Sequence, residues 1–209
     1  MRFRLVYDGE LGSSGNSSPK PGGVAHIRQV LSPQLERLWA THNSLQVLAR
    51  DGVVQRPGST VAIYDPNRTP RDLARQFPND FDYLGDSIPV GEKRYTPLVR
   101  QSLSLACELQ ILFLRDQDPG DMFAQGGDLD NRIKTLFDAL RMPKKDEQDR
   151  TPPPADHLYC LLEDDSLISH FSVETDRLLD PTSQGKRVVL IIDVRLNVLR
   201  VGPHNMCLL

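Results

Sequence analysis

Two aspartates one residue apart, Asp128 and Asp130, follow a pair of glycines in the stretch Gly126-Gly127-Asp128-Leu129-Asp130-Asn131-Arg132-Ile133-Lys134. About thirty residues on comes a second acidic group, Glu163-Asp164-Asp165. Magnesium is usually held by one or two carboxylates, with waters and substrate phosphate completing an octahedron. If Asp128, Asp130 and Asp165 converge, they form a site for such an ion. It would polarise a phosphate, lower the pKa of a bound water and offset charge on the leaving oxygen. Lys134 lies one helical turn after Asp130, where its ammonium would stabilise charge on the phosphoryl group or position the attacking water. Without a cation the three carboxylates would repel one another, and at least one pKa would rise. Each also has an ordinary structural role open to it: Asp128 as a helix cap, Asp130 as a partner for the helix dipole, Asp164-Asp165 as an acidic turn. An EF-hand loop does not fit, because Arg132 stands at its fifth position and its glycine and terminal glutamate are missing.

The elements that must position these residues are legible as periodicities. From Leu129, the residues Ile133, Leu136, Phe137 and Leu140 recur at steps of three and four, which predicts an amphipathic helix with Asp128 at its N-cap. Asp130, Lys134 and Arg141 then fall along one edge of the apolar face. Before it, Leu103 to Phe113 alternates cleanly and predicts the strongest strand of the chain. After it, a charged, proline-rich stretch from Lys144 to His157 leads to the apolar run Leu158 to Leu162, which delivers Glu163-Asp164-Asp165. Two further strands are expected over about 167–176 and 187–199, and a first strand at Arg2 to Tyr7. Gly12 to Gly23 reads as a Gly/Ser-rich loop, and Ile27 to Ala49 as a helical region interrupted at Ser32-Pro33, with Ser32 capping a new helix. Between about 50 and 98 the pattern weakens to a short strand at Val61 to Tyr64, a helix from Thr69 to Phe77 and an irregular stretch to Arg94. That segment is expected to be a peripheral elaboration, and 202–209 a tail. Together these elements predict a mixed α/β (α+β) fold, a small mixed sheet with packed helices and loop insertions, as a single domain over residues 1–209.

The 209 residues carry a net charge of −3, so no global basic field advertises a polyanion partner, and any nucleic acid must be met by local charge. The candidates are Lys20 and Arg28 near the N-terminal loop, Arg132 and Arg141 on the acidic helix, and Lys144-Lys145 just after it. Cys107, Cys160 and Cys207 form no C-x-x-C pair, which argues against a zinc or dithiol centre, and the first two sit in apolar runs as small buried hydrophobes. No signal-peptide pattern opens the chain and no apolar run is long enough for a membrane span, so a cytoplasmic protein with no membrane partner is expected.

Gly127 to Leu140 (Gly-Asp-Leu-Asp-Asn-Arg-Ile-Lys-Thr-Leu-Phe-Asp-Ala-Leu), followed by Glu163 to Ile168 (Glu-Asp-Asp-Ser-Leu-Ile), resembles the RusA family of Holliday-junction resolvases. The signature of that family is D-L-D-N-x-x-K-x-x-x-D-A-L, then a D-D pair leading into a strand. The resemblance covers roughly residues 100 to 200. It implies a small α/β fold, a homodimer, and a magnesium-dependent endonuclease (with manganese able to substitute) acting on branched DNA in recombination and repair, without a small-molecule cofactor. Asp128, Asp130 and Asp165 would be the metal ligands, Lys134 the catalytic or phosphate-binding lysine, and Asn131 a motif residue at the helix start. The acidic net charge and the segments 50–98 and 144–157 depart from the family, so a shift to flap DNA or RNA, or to a non-cutting assembly role, is also compatible.

Overall fold

Buried alternation and its partners explain most of the architecture in the computed structural model, which describes residues 1–12, 23–56, 58–62, 65–116, 128–144, 147, 156–180, 187–202 and 205–209. Four α-helices and nine strands lie among these residues, in a mixed α+β fold. The principal sheet has the order β1-β9-β6-β8, built from β1 (Arg2–Glu10), β6 (Leu105–Arg115), β8 (Ile168–Arg177) and β9 (Arg187–Val198). β6 lies antiparallel to β9 and parallel to β8. Its alternate residues Leu105, Cys107, Leu109, Ile111 and Phe113 are fully buried, as their period of two requires. Burial pushes the Cys107 thiol up to about 12, leaving it an inert small hydrophobe. A second sheet of order β4-β5-β7 joins β4 (Ile88–Val90), β5 (Lys93–Val99) and β7 (His157–Leu162), with β5 and β7 parallel. β2 (Val53–Gln55) and β3 (Phe81–Tyr83) form a small hairpin-like pair.

The helix α1 (Val24–Thr41) runs unbroken through Pro33. The sequence predicts a break there; the chain instead breaks at His42, before α2 (Asn43–Asp51). The reason is the buried stripe Val24, Ile27, Leu31, Leu35 and Trp39, which lies on both sides of the proline and belongs to one core. A proline inside a helix costs about 3 kcal/mol. Burying each of those side chains returns roughly 1.5–3 kcal/mol, so continuity wins. Ser32 does not cap a helix; its Oγ accepts the Tyr159 N–H at 2.9 Å and pins α1 to β7. Two residues on, the Gln34 amide accepts from the Val6 N–H at 2.9 Å and donates to the Val6 carbonyl at 2.7 Å, occupying the outer edge of β1 at its centre.

The helix predicted from Thr69 forms as α3 (Pro70–Gln76), with Thr69 and Asp72 making a reciprocal capping box. Val61 and Ala62 belong to no strand, and residues 63–64 of that predicted strand lie outside the described set. The segment 50–98 is more central than the weak pattern suggests, because β5 is almost wholly buried and is the parallel partner of β7. Residues 84–87 are pressed onto α2, so closely that a Cβ on Gly85 would stand 2.5 Å from the Ala49 Cα. The end of the chain is packed rather than a loose tail. Leu208 is buried in the main core, and the buried Asn205 amide donates to the carbonyls of Leu103 and Arg200. No described helix is long and apolar enough to cross a membrane.

Candidate metal and phosphate site

The predicted acidic helix is α4 (Asp128–Leu140). Its buried residues Ile133, Leu136, Ala139 and Leu140 keep one face on the core, which leaves Asp130 and Lys134 exposed along the other. Asp128 is the first helical residue, where free backbone N–H groups and the positive end of the helix dipole favour an ionised carboxylate. Its side chain lies outside the described set. Neither Asp130 nor Lys134 takes part in an ion pair among the described residues. The neighbour that would compete for Lys134, Asp138, is committed to Arg141.

β7 delivers the second acidic group, as the apolar run Leu158 to Leu162 predicts. Glu163 is fixed at both ends: its N–H donates to the Val99 carbonyl at 2.9 Å, and one carboxylate oxygen accepts the Gln101 N–H at 2.9 Å. Asp164 is extended, and its Oδ1 accepts the Ser166 N–H at 3.0 Å, capping the 3-10 turn Asp165–Leu167. The Ser166 side chain first and this N–H second, with the charge of Lys144 adding and burial opposing, hold the Asp164 carboxyl below the usual carboxylate range. Asp165 opens the turn with its side chain exposed.

The turn packs against α4, so the structure brings the two acidic elements together. The Met142 N–H donates to the Leu162 carbonyl at 2.9 Å, and Phe137 meets Phe171 of β8 edge-on with ring centres 5.1 Å apart. Both landmarks set the Asp165 turn beside the C-terminal half of the helix. Asp130 lies seven residues before Phe137, about 10 Å along the axis. Among the described residues no three His, Cys, Asp or Glu side chains close on one point, and the Asp128 side chain is not among them. The donor chemistry nevertheless suits a hard cation. Asp130 and Asp165 are exposed carboxylates that no basic side chain among the described residues neutralises.

The expected nucleic-acid contacts divide sharply. Arg28 and Arg141 are 3% and 5% exposed and are withdrawn from any surface groove. Arg28 donates to the carbonyls of Asp138 and Arg141, satisfying the C-terminal end of α4. Arg141 places all five of its N–H groups, on Asp138, Glu147 and the Met142 carbonyl. Burial works against its charge, but the hydrogen bonds it donates to Glu147 and Asp138 outweigh that and keep its pKa above the ordinary arginine value. Arg132 is half-buried and donates to the Leu11 carbonyl at the end of β1. Lys144 is exposed, with its Nζ 3.9 Å from Asp164. Lys20 and Lys145 lie outside the described residues. A signal for the two buried arginines was present in the sequence: Arg28 stands one step from Ile27 and three from Leu31, and Arg141 four from Phe137, on the apolar faces.

Compared with the models of known families, with curated proteins and with solved structures, the chain matches none of them.

Proposed function

We propose that this protein is a magnesium-dependent endonuclease that hydrolyses phosphodiester bonds in branched DNA, in the manner of the RusA resolvases it resembles. The observation that carries the reading is the pairing of uncommitted groups: exposed Asp130 and Lys134 one turn apart on a helix packed against the turn that bears Asp165. Asp128, Asp130 and Asp165 would hold the ion, which when bound supplies Lewis-acid activation of the phosphate and of a water. Lys134, which no carboxylate among the described residues binds, would direct its ammonium to the phosphate. Lys144 stands next to Asp164, where a phosphate backbone approaching the acidic turn would meet it, and Lys20 and Lys145 extend the same role. In this reading the protein is a homodimer, as paired incisions require, with β8 as the contact. β8 is the edge of its sheet and most of its side chains are exposed, Phe171 to 49%.

The test is incubation of purified protein with a four-way junction, a flap, a linear duplex and single-stranded RNA, each with magnesium, with manganese and with chelator. Preferential, metal-dependent cutting of the junction is expected. Asp128→Asn, Asp130→Asn and Asp165→Asn should each abolish it, and Lys134→Ala should lower turnover about 100-fold at an unchanged melting temperature. Full cutting by any one aspartate variant removes that residue from the site.

A further inference from the structure

On the other side of Glu163 from the acidic turn, β3, residues 84–87 and the start of β4 wall a half-open cavity of about 480 Å³. Cavities of roughly 300–1,000 Å³ are the usual size for small-ligand sites. Arg100 and Ser102 line it with Glu163. Arg100 is only 4% exposed, as deeply buried as Arg141, but its hydrogen bonding is far less complete. Its Nε donates to the Pro97 carbonyl at 2.9 Å and one Nη2 hydrogen to the Asp86 carbonyl at 2.7 Å. The remaining N–H groups have no acceptor among the described residues, and no carboxylate forms an ion pair with the guanidinium. Burial draws its pKa down to about 10, with Glu163, Asp86 and Asp82 opposing. A buried charge that only supports the fold is normally hydrogen-bonded throughout, as Arg141 is. Arg100 instead presents donors to the cavity.

The other charges decide what would meet them. Asp82 and Arg56 also line the cavity but are paired with each other at 2.8 Å, which leaves Asp86 and Glu163 to repel a phosphate and the buried Arg100 charge to repel an amine. A neutral planar group with an acceptor for Arg100 and a donor for the second oxygen of Glu163 satisfies both. Guanine (O6 beside N1–H) and thymine (O4 beside N3–H) have that edge, whereas the ring nitrogen beside the cytosine oxo group is an acceptor and adenine has no oxo group. Tyr83 and Pro78 give the cavity flat apolar wall. We propose that this cavity receives an extrahelical guanine or thymine, seating one unpaired nucleotide of the substrate beside the acidic turn. The proposal rests on the nucleic-acid reading above and adds to it a base preference. A base reaches such a cavity only out of the stack, and the cost of leaving is least where it is already unpaired, as at a branch point.

Duplexes carrying one bulged G, C, A or T, or a bulged abasic residue, test this in chelator, where no cutting is needed. Fluorescence anisotropy should show bulged G or T bound about tenfold more tightly than the abasic control. Glu163→Gln, which keeps an acceptor for the Gln101 N–H, should erase the preference, as should Ser102→Phe, which fills the cavity from its rim. Equal binding of all five duplexes overturns the base site while leaving the nuclease reading intact. Failure to bind any of them overturns both. A G/T preference without cutting of junctions in magnesium keeps the base site and rejects the nuclease.

Discussion

Arg141 gives the sharpest contrast between a surface role and a buried one. In Arg141→Gln, five N–H donors and a charge are removed from a site where the side chain is 6% exposed. Asp138, 19% exposed, is left with a nearly buried carboxylate. Stranding one member of a buried pair costs about 3–5 kcal/mol, and the partial exposure of Asp138 puts the loss near the lower end. Glu147 is 38% exposed and can turn to water, so its share is small, on the order of 0–1 kcal/mol. A total of about 3 kcal/mol corresponds to a fall in melting temperature of roughly 6–12 °C for a chain of this length. Urea unfolding followed by the fluorescence of Trp39, the single tryptophan and itself buried, would measure the loss. Adding Asp138→Asn should recover part of it, because the second substitution removes the stranded charge. DNA affinity of the folded fraction should be unchanged. A variant that melts with the parent and binds DNA more weakly would refute the buried role and return Arg141 to the groove.

Two further outcomes are expected. Burial holds the His157 imidazole below its ordinary value of 6.5, with the Arg94 charge adding and Glu36 opposing. The unfolded chain therefore takes up this proton first, and the contribution of His157 to stability is present above about pH 6.5 and lost as pH falls through the lower folded value. His157→Gln should flatten the melting temperature between about pH 7.5 and 5.5; a parent protein that melts higher on acidification over that range would contradict the assignment. Sedimentation should show a dimer. Neighbouring N–H groups of a strand point to opposite sides, so one of Ser172→Pro and Val173→Pro blocks only the free edge of β8. That variant should be a monomer with the parent's melting temperature, and a parent that is itself monomeric at every concentration reached excludes the contact.

Residues whose information is local were legible. β6 alternates over eleven residues, α3 announces its start in Thr69-Pro70, and the apolar steps of α4 fix its buried face. What could not be read depends on partners distant in sequence. β5 contains Pro97, which locally argues against an inner strand, yet it lies between β4 and β7 because its pairing residues come from sixty positions away. The Pro97 carbonyl, moreover, is used by Arg100 rather than wasted. Pro33 looked like a boundary until the core on both sides of it was assembled. Arg28 and Arg141 looked like surface cations because charge suggests water, whereas their heptad neighbours place them inside and their partners are a helix end and two carboxylates. Of the candidate site, the exposed positions of Asp130 and Lys134 on α4 and the delivery of Asp165 after β7 were readable from periodicity and spacing. The cavity at Arg100 was not, since its walls come from residues 56 to 163 and no motif links them.

Gln34 has a consequence for how many molecules can join. Its amide fills the hydrogen-bonding groups of Val6 and so spends the middle of the β1 edge inside the molecule. The two margins of the four-stranded sheet therefore differ: β1 is interrupted at Val6, and β8 is the margin proposed for a second copy. If two copies meet through β8, both margins of the joined eight-stranded sheet are interrupted at Val6, which disfavours a further strand there.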